Sequence, residues 1–138
     1  MRPYRFIDHM ADGGIEIFGS DVKTLFSNAA AGLFDMITDR SRIKGKEVKT
    51  VGISGEDWAD LMVNWLRELL YLWHVKEWLV ETVRISEIST RKLTARIKYD
   101  RFDPDRHALK TEIKAVTYHQ VRVARQMDRW EARVIFDL

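Results

Sequence analysis

Two stretches with apolar residues at helical spacing constrain the fold more than any other feature of this sequence. The first contains Val22, Leu25, Phe26, Ala29, Ala30, Leu33 and Phe34, and the second contains Trp58, Leu61, Met62, Trp65, Leu66, Leu69 and Trp73. Spacings of three and four residues predict two amphipathic helices whose apolar stripes face a core. Ser20 is the expected N-cap of the first helix, and the capping-box-like segment 54–57 opens the second.

Alternating apolar and polar residues predict strands through most of the remaining chain. Residues 14–19 alternate in this way, and residues 80–99 are typical of a hairpin that turns near Ser89 and Thr90. Further strands are expected near 112–118, 120–126 and 130–137. In the last of these, a period of two places Trp130, Ala132, Val134 and Phe136 on one face.

The order of these elements predicts an α+β fold. A strand, a helix, a strand and a helix are followed by a run of four or five strands. The economical way to bury two helical stripes is a largely antiparallel β-sheet with both amphipathic helices packed on one face. Residues 1–138 are expected to form a single domain, because neither a repeat nor a low-complexity linker divides them. In this arrangement the tryptophans of the second helix belong to the core.

The composition excludes several kinds of site. The chain has no cysteine, which excludes a disulfide, a thiolate zinc site and a cysteine nucleophile, and which agrees with a reducing cytoplasm. It contains no phosphate-binding glycine loop, no His-Glu-x-x-His and no nucleophile elbow. Charged residues interrupt its apolar runs before they reach the length of a signal peptide or a membrane span. We therefore expect a cytoplasmic protein that is not an enzyme in its own right.

The net charge of +2 hides an uneven distribution of charge along the chain. Residues 40–50 carry five Lys or Arg against one Glu, whereas residues 55–81 are mainly acidic. A solvated surface explains both segments. A surface that faces a charged partner explains them as well, and the sequence leaves both interpretations open.

The acidic, glycine-rich segment 8–14 is the first candidate site. Asp12 offers hard oxygen ligands for a cation, and the two glycines that follow it allow a tight turn or the close approach of a ligand. An ordinary Asp-Gly turn is the simpler alternative. His9, likewise, can be a buried and hydrogen-bonded histidine.

A second candidate segment, residues 103–119, begins with an Asp-Pro turn and is rich in charge. Its members of interest are His107, Lys110, Glu112, Lys114 and His119. If the backbone is extended, Glu112 and Lys114 project to the same face. They then form either an ion pair of small value or a contact with RNA phosphate or a protein partner.

The chain end is the third candidate, because a well-patterned strand runs up to Asp137 and Leu138. If this tail lies near Asp12, the carboxylates converge, and like charges so close together call for either a cation or a raised pKa of one carboxyl. Oxygen ligands without His or Cys suit calcium, magnesium or manganese better than zinc. The sequence does not say whether the two ends of the chain meet.

Three motifs make the chain resemble the archease family. Residues 9–15 are similar to the family's His-Thr-Ala-Asp-x-Gly-Ile opening, residues 114–119 to its Lys-Ala-x-Thr-Tyr-His strand, and residues 130–138 to its Trp-x-Ala-x-Val-x-x-Asp ending. The positions of the helices agree too, so the resemblance covers essentially the whole chain in the right order. Met10 departs from the pattern, because the family usually has Thr there, and its presence removes a hydroxyl beside the site.

The resemblance implies a protein cofactor of a GTP-dependent, RtcB-type RNA ligase. Such a ligase joins a 3′-phosphate or a 2′,3′-cyclic phosphate to a 5′-hydroxyl in tRNA splicing and RNA repair, and it works through a guanylylated histidine. The cofactor would stimulate guanylylation and multiple turnover, and it would contact RNA indirectly through the ligase. The resemblance also implies that Asp12, Asp137 and the main chain of Leu138 bind a divalent metal ion (calcium, magnesium or manganese). His9, His107, Lys110, Glu112, Lys114 and His119 are expected to support the site or to contact the partner.

Other functions remain open on the sequence. An RNA-binding protein that acts without the ligase is suggested by the basic segment, and a chaperone-like protein by the family fold. The absence of cysteine removes the thiol switch of a redox-regulated chaperone. A metal-dependent phosphoesterase is less favoured, because no histidine cluster is available to complete its site.

Overall fold

The computed structural model describes residues 2–8 and 12–138 of the chain. The described strands are β1 (Tyr4–Asp8), β2 (Asp12–Gly19), β3 (Glu47–Ser54), β4 (Trp78–Ser89), β5 (Lys92–Arg101), β6 (Ala115–Val116), β7 (Arg122–Gln126) and β8 (Arg129–Asp137), and the helices are α1 (Val22–Ile37) and α2 (Trp58–Lys76). A short 3-10 helix, Arg40–Arg42, follows α1. The predicted order of helices and strands is confirmed, with β1 as an additional first strand. The hairpin of β4 and β5 turns at Ser89 and Lys92, close to the predicted position.

The strands pair antiparallel and form two sheets. One sheet has the order β1-β2-β8, with β6 and β7 paired to successive parts of the other edge of β8. The other has the order β3-β5-β4. The α+β class with two helices and antiparallel strands is confirmed. The strands divide between two sheets instead of forming one: within the described residues, β3, β4 and β5 pair only with one another.

The two helices pack against both sheets. Helix α1 lies against β2 and β4, and α2 lies against β3, β4, β6 and β7. Trp65 of α2 is fully buried, and its indole N–H donates to the Phe26 carbonyl of α1 at 2.9 Å. Trp58 and Trp73 are partly buried against the same core, so the predicted structural role of these tryptophans is confirmed. Over the described residues, neither helix is both long and apolar enough to span a membrane.

The predicted N-cap of α1 is wrong by one residue. Asp21 has extended backbone angles, and its carboxylate accepts the Thr24 N–H at 2.8 Å. Hydrogen bonding from Thr24 is the main cause of a lowered pKa at Asp21, since it favours the charged form of the carboxyl. In α2 the corresponding cap is Asp57, which accepts the Asp60 N–H and agrees with the predicted start.

The strand predicted near 112–118 is wrong over most of its length. Only Ala115–Val116 pair with β8. The burial of Ile113 and the exposure of Ala115, two residues apart, also depart from the period of a regular strand. The preceding backbone is used elsewhere: Lys110 N–H donates to Ile37 C=O and Thr111 N–H to Met36 C=O. This segment therefore closes the C-terminal end of α1 instead of extending the sheet.

Two glycines give a matched test of the packing between β2 and β8. A Cβ atom added to Gly14 would lie 2.8 Å from the Val134 carbonyl oxygen, whereas one added to Gly52 would meet nothing within 4 Å. We expect Gly14→Ala to lower the free energy of unfolding by about 1 kcal/mol, because the strands must move apart. Gly52→Ala, the control, should leave it unchanged or slightly higher. Urea denaturation measures both, and equal effects would contradict the close approach of the strands at Gly14.

Candidate metal centre

Strands β2 and β8 bring the two ends of the chain together. In their antiparallel register Asp12 lies directly opposite Asp137. Residues in such a pair project to the same face, with Cβ atoms roughly 5 Å apart. Both side chains are exposed. The fold therefore brings these two carboxylates together, which the sequence alone could not show.

Strand β6 and the residues beside it fix the end of β8. Lys114 N–H donates to the Asp137 carbonyl at 2.8 Å, and Thr117 donates to the Ile135 carbonyl through both its N–H, at 3.1 Å, and its hydroxyl, at 2.8 Å. With β2 on its other edge, the last strand is hydrogen-bonded on both sides. The tail is held in the sheet, whereas chain ends without such bonds fray.

Gly13 makes room for Leu138. A Cβ atom at Gly13 would lie 2.8 Å from Leu138 Cδ1, so glycine lets this side chain cross the strand closely. Leu138 is partly buried against the core. Its side chain is therefore an anchor, and only its main-chain oxygen is available beside Asp137 for a ligand.

The candidate ligands Asp12, Asp137 and Leu138 offer hard oxygen atoms. Calcium, magnesium and manganese prefer carboxylate and carbonyl oxygen, so the residues present fit such an ion in their chemistry. Within residues 2–8 and 12–138, no group of three or more His, Asp or Glu side chains is arranged to hold a metal. Asp8 lies at the same end on β1, but it pairs with Gly13 and so projects to the other face of the sheet from Asp12. Asp12 and Asp137 would thus need main-chain oxygen, water or a partner to complete the coordination.

The structure separates the predicted support residues into two groups. Lys114 adjoins the candidate site through its backbone, and Glu112 and His119, both exposed, lie in the chain on either side of it. His119 N–H donates to the Thr117 hydroxyl at 3.2 Å. Lys110 lies at the end of α1, where its ammonium is 3.5 Å from Asp35. His9 falls outside the described residues.

His107 belongs to a buried polar cluster instead of an exposed surface. Its Nδ1 accepts the Asp103 N–H at 2.9 Å, so its Nε2 carries the hydrogen, which points to Asp100 and to the Arg42 carbonyl, each at 3.2 Å. The side chain of His107 is fully buried. These contacts tie the loop after β5 to the basic segment after α1. They indicate a structural role for this histidine.

Asp100 is the residue of this cluster that sequence reasoning missed. Its carboxylate accepts two hydrogen bonds from the Arg106 guanidinium, at 2.9 and 3.1 Å, and one from Lys44 N–H at 2.9 Å. Burial alone would raise the pKa of Asp100, but the bonds from Arg106 and Lys44 outweigh it and hold that pKa at about 2. The Asp-Pro turn at 103–104 marks the loop, but only the tertiary structure shows what the loop binds.

Tyr118 fastens the motif segment to α2. Its hydroxyl donates to the Asp60 carboxylate, and its ring lies 4.7 Å from the Arg67 guanidinium. The bond from Tyr118 is the main cause of a lowered pKa at Asp60 and of a raised pKa at Tyr118 itself. Tyr118, although it belongs to a family motif, therefore has a structural role in joining this segment to α2.

Comparison with known proteins identifies the fold and the family. A profile of the Archease protein family (MTH1598/TM1083) matches residues 4–138. A protein archease of Methanosarcina acetivorans is 34% identical over 141 aligned positions, which cover 99% of this chain and 97% of the relative. One from Pyrococcus abyssi is 32% identical, and the match covers both chains completely.

Solved structures agree with this result. The solution structure of Methanobacterium thermoautotrophicum protein 1598 superposes with a TM-score of 0.83 and 31% identity, and it covers all of both chains. The crystal structure of an archease from Thermotoga maritima, described as a possible chaperone, has a TM-score of 0.64 at 24% identity, over 96% of this chain and 94% of that one. The latter likeness concerns the fold alone.

The fold and the paired carboxylates define a small α+β protein whose two ends are joined in one sheet. The chain belongs to the archease family. The family resemblance predicted from the three motifs is therefore confirmed.

Proposed function

We propose that this chain is a protein cofactor of a GTP-dependent, RtcB-type RNA ligase, which it supports through a divalent metal ion held at the end of β2 and β8. The observation that carries the proposal is the register of Asp12 opposite Asp137. Family membership supports a role in assisting another protein, and the exposure of both carboxylates suits a site presented to a partner.

In this proposal Asp12 and Asp137 bind the ion, and the main-chain oxygen of Leu138 completes the protein's own ligands. A divalent ion supplies positive charge that stabilises phosphate oxygens during nucleotidyl transfer. The backbone bonds from Lys114 and Thr117 keep the strand end from moving away from Asp12. Because the side chain of Leu138 packs against the core, it holds the main chain of Leu138 in place beside Asp137.

The direct test is ligation of 3′-phosphate RNA by the cognate ligase with GTP, at a large excess of RNA over ligase. Wild-type protein should drive many turnovers for each ligase molecule. Asp12→Asn and Asp137→Asn should each reduce this stimulation by about tenfold or more, because even the loss of a hydrogen-bond partner to a metal ligand costs 10–100-fold in affinity.

Asp128→Asn is the matched control for this assay. Asp128 is also an exposed aspartate, but it lies in the turn that precedes β8, at the far end of that strand from Asp137. The Asp128→Asn variant should stimulate the ligase as wild type does. If Asp12→Asn and Asp137→Asn are folded and stimulate fully, the proposed centre is wrong.

A further inference from the structure

The outer face of the three-stranded sheet is a second feature that the candidate metal centre does not use. In β5 the residues Leu93, Ala95 and Ile97 are buried against the core. The alternate residues Lys92, Thr94, Arg96 and Lys98 therefore project away from the helices, and the three cations among them are exposed. We call this surface the basic sheet face.

Two arginines lie directly opposite each other on the basic sheet face. Arg84 of β4 pairs with Arg96 of β5, and both are exposed. Like charges in directly opposite positions destabilise a sheet. Among the described residues, neither arginine has a carboxylate within ion-pair distance, and the same holds for Lys92 and Lys98. Glu87, which pairs with Thr94, also projects to this face, but it forms no ion pair with the four cations. Four cations against one carboxylate leave the described part of this face with an excess of positive charge, as expected for a surface that meets an external anion.

Two neighbouring β3 positions of the basic sheet face carry small residues. Thr50 and Gly52 of β3 stand opposite Arg96 and Thr94, and a Cβ at Gly52 would meet nothing within 4 Å. Thr50 is exposed and lies beside Arg96, so its side chain can reach the same bound anion. Lys, Arg and Thr side chains are the usual donors to phosphate oxygens of nucleic acids.

We propose that the basic sheet face binds RNA through its sugar–phosphate backbone. The register pairs of this face contain no aromatic side chain on which a base could stack, so the contact is independent of base sequence. An acidic protein surface is the less suitable occupant, because protein interfaces depend on buried aromatic or apolar anchors, and among the described register pairs of this face only Val48, at its edge, is a large apolar residue. The inference goes beyond the proposed function, in which RNA is reached only through the ligase.

The test measures binding of the isolated chain to a fluorescein-labelled RNA duplex, by fluorescence anisotropy at several salt concentrations with EDTA present. Arg84→Gln/Arg96→Gln should weaken binding about tenfold at low salt. It should also make the dependence of log affinity on log salt shallower by about 2, one for each lost phosphate contact. The variant should unfold in urea at a midpoint no lower than that of wild type, because the substitutions remove the repulsion between the two arginines.

Lys76→Gln/Arg125→Gln is the matched control, since it removes the same charge from two exposed positions outside this face. It should bind the duplex as wild type does, and so should Asp12→Asn, because neither ligase nor metal is present. Three results would overturn the proposal: no salt-dependent binding by wild type, an equal loss in the control, or loss of ligase stimulation in Arg84→Gln/Arg96→Gln with RNA binding intact. The last result would assign the face to an acidic protein. Failure of the metal centre leaves RNA binding unaffected, so the two proposals fail separately.

Discussion

Asp100→Asn is expected to lower the free energy of unfolding by about 2 kcal/mol at pH 7 and by almost nothing at pH 2. The value follows from the pKa of Asp100, which lies at about 2 in the folded protein against an ordinary value of 3.8, since each unit is worth about 1.4 kcal/mol. The side chain is only 4% exposed, so water screens little of this contribution. The amide of Asn carries no charge to offset the Arg106 guanidinium.

The sign of the pH dependence follows from the direction of the shift. A carboxyl whose pKa is lowered by folding adds stability above its unfolded pKa, near pH 4, and loses that contribution as the pH falls toward its folded pKa, near pH 2. Wild type should therefore lose more stability than Asp100→Asn over this interval. The difference between the two proteins isolates Asp100 from the other carboxylates, which are common to both.

Urea denaturation at pH 7, 4 and 2 measures this difference. Asp105→Asn is the control, because Asp105 lies in the same loop but is exposed. It should change the free energy of unfolding little at any pH. A penalty for Asp100→Asn that is equally large at pH 2 and pH 7 would mean that the lost stability comes from packing and not from the charge of the carboxylate.

Local pattern was sufficient to predict the elements that bury one face. The apolar stripes of α1 and α2 predicted both helices, and the alternation in β8 predicted the face that buries Ala132, Val134 and Phe136. Ile135 departs from this period, because it is buried although it lies on the opposite face. The motifs at residues 9–15 and 130–138 likewise predicted the family correctly. These signals lie within a few residues of one another along the chain.

Local pattern failed where the decisive partner is distant in sequence. A strand was predicted near 112–118, yet only two of its residues pair with β8, and the N–H groups of Lys110 and Thr111 just before it bond to the end of α1, more than 70 residues earlier. The same holds for the site: Asp12 and Asp137 meet only because β2 and β8 pair, and no periodicity encodes which strands become neighbours. Asp100 was missed because its partners meet only in the folded chain: Lys44 lies 56 residues away, and the loop that carries Arg106 and His107 must fold back onto the carboxylate.

The metal centre makes a prediction that needs no ligase. Thermal and urea unfolding of the isolated chain in EDTA should show Asp12→Asn to be as stable as wild type or slightly more so, because it removes one of two like charges in directly opposite positions. With calcium, magnesium or manganese at 100 times the dissociation constant, wild type should gain about 2.7 kcal/mol, as expected for a ligand that binds only the folded state. Asp12→Asn and Asp137→Asn should gain much less.

This reversal of order is what separates a binding site from a structural one. If Asp12 and Asp137 merely stabilise the strand end, their variants should be less stable than wild type both in EDTA and with metal. If they are metal ligands, the variants should be less stable than wild type only when the ion is present. Asp128→Asn should gain as much as wild type, because Asp128 lies at the other end of β8 from Asp137. Equal stabilisation of wild type, Asp12→Asn and Asp137→Asn by all three ions would show that the carboxylates meet without binding a cation.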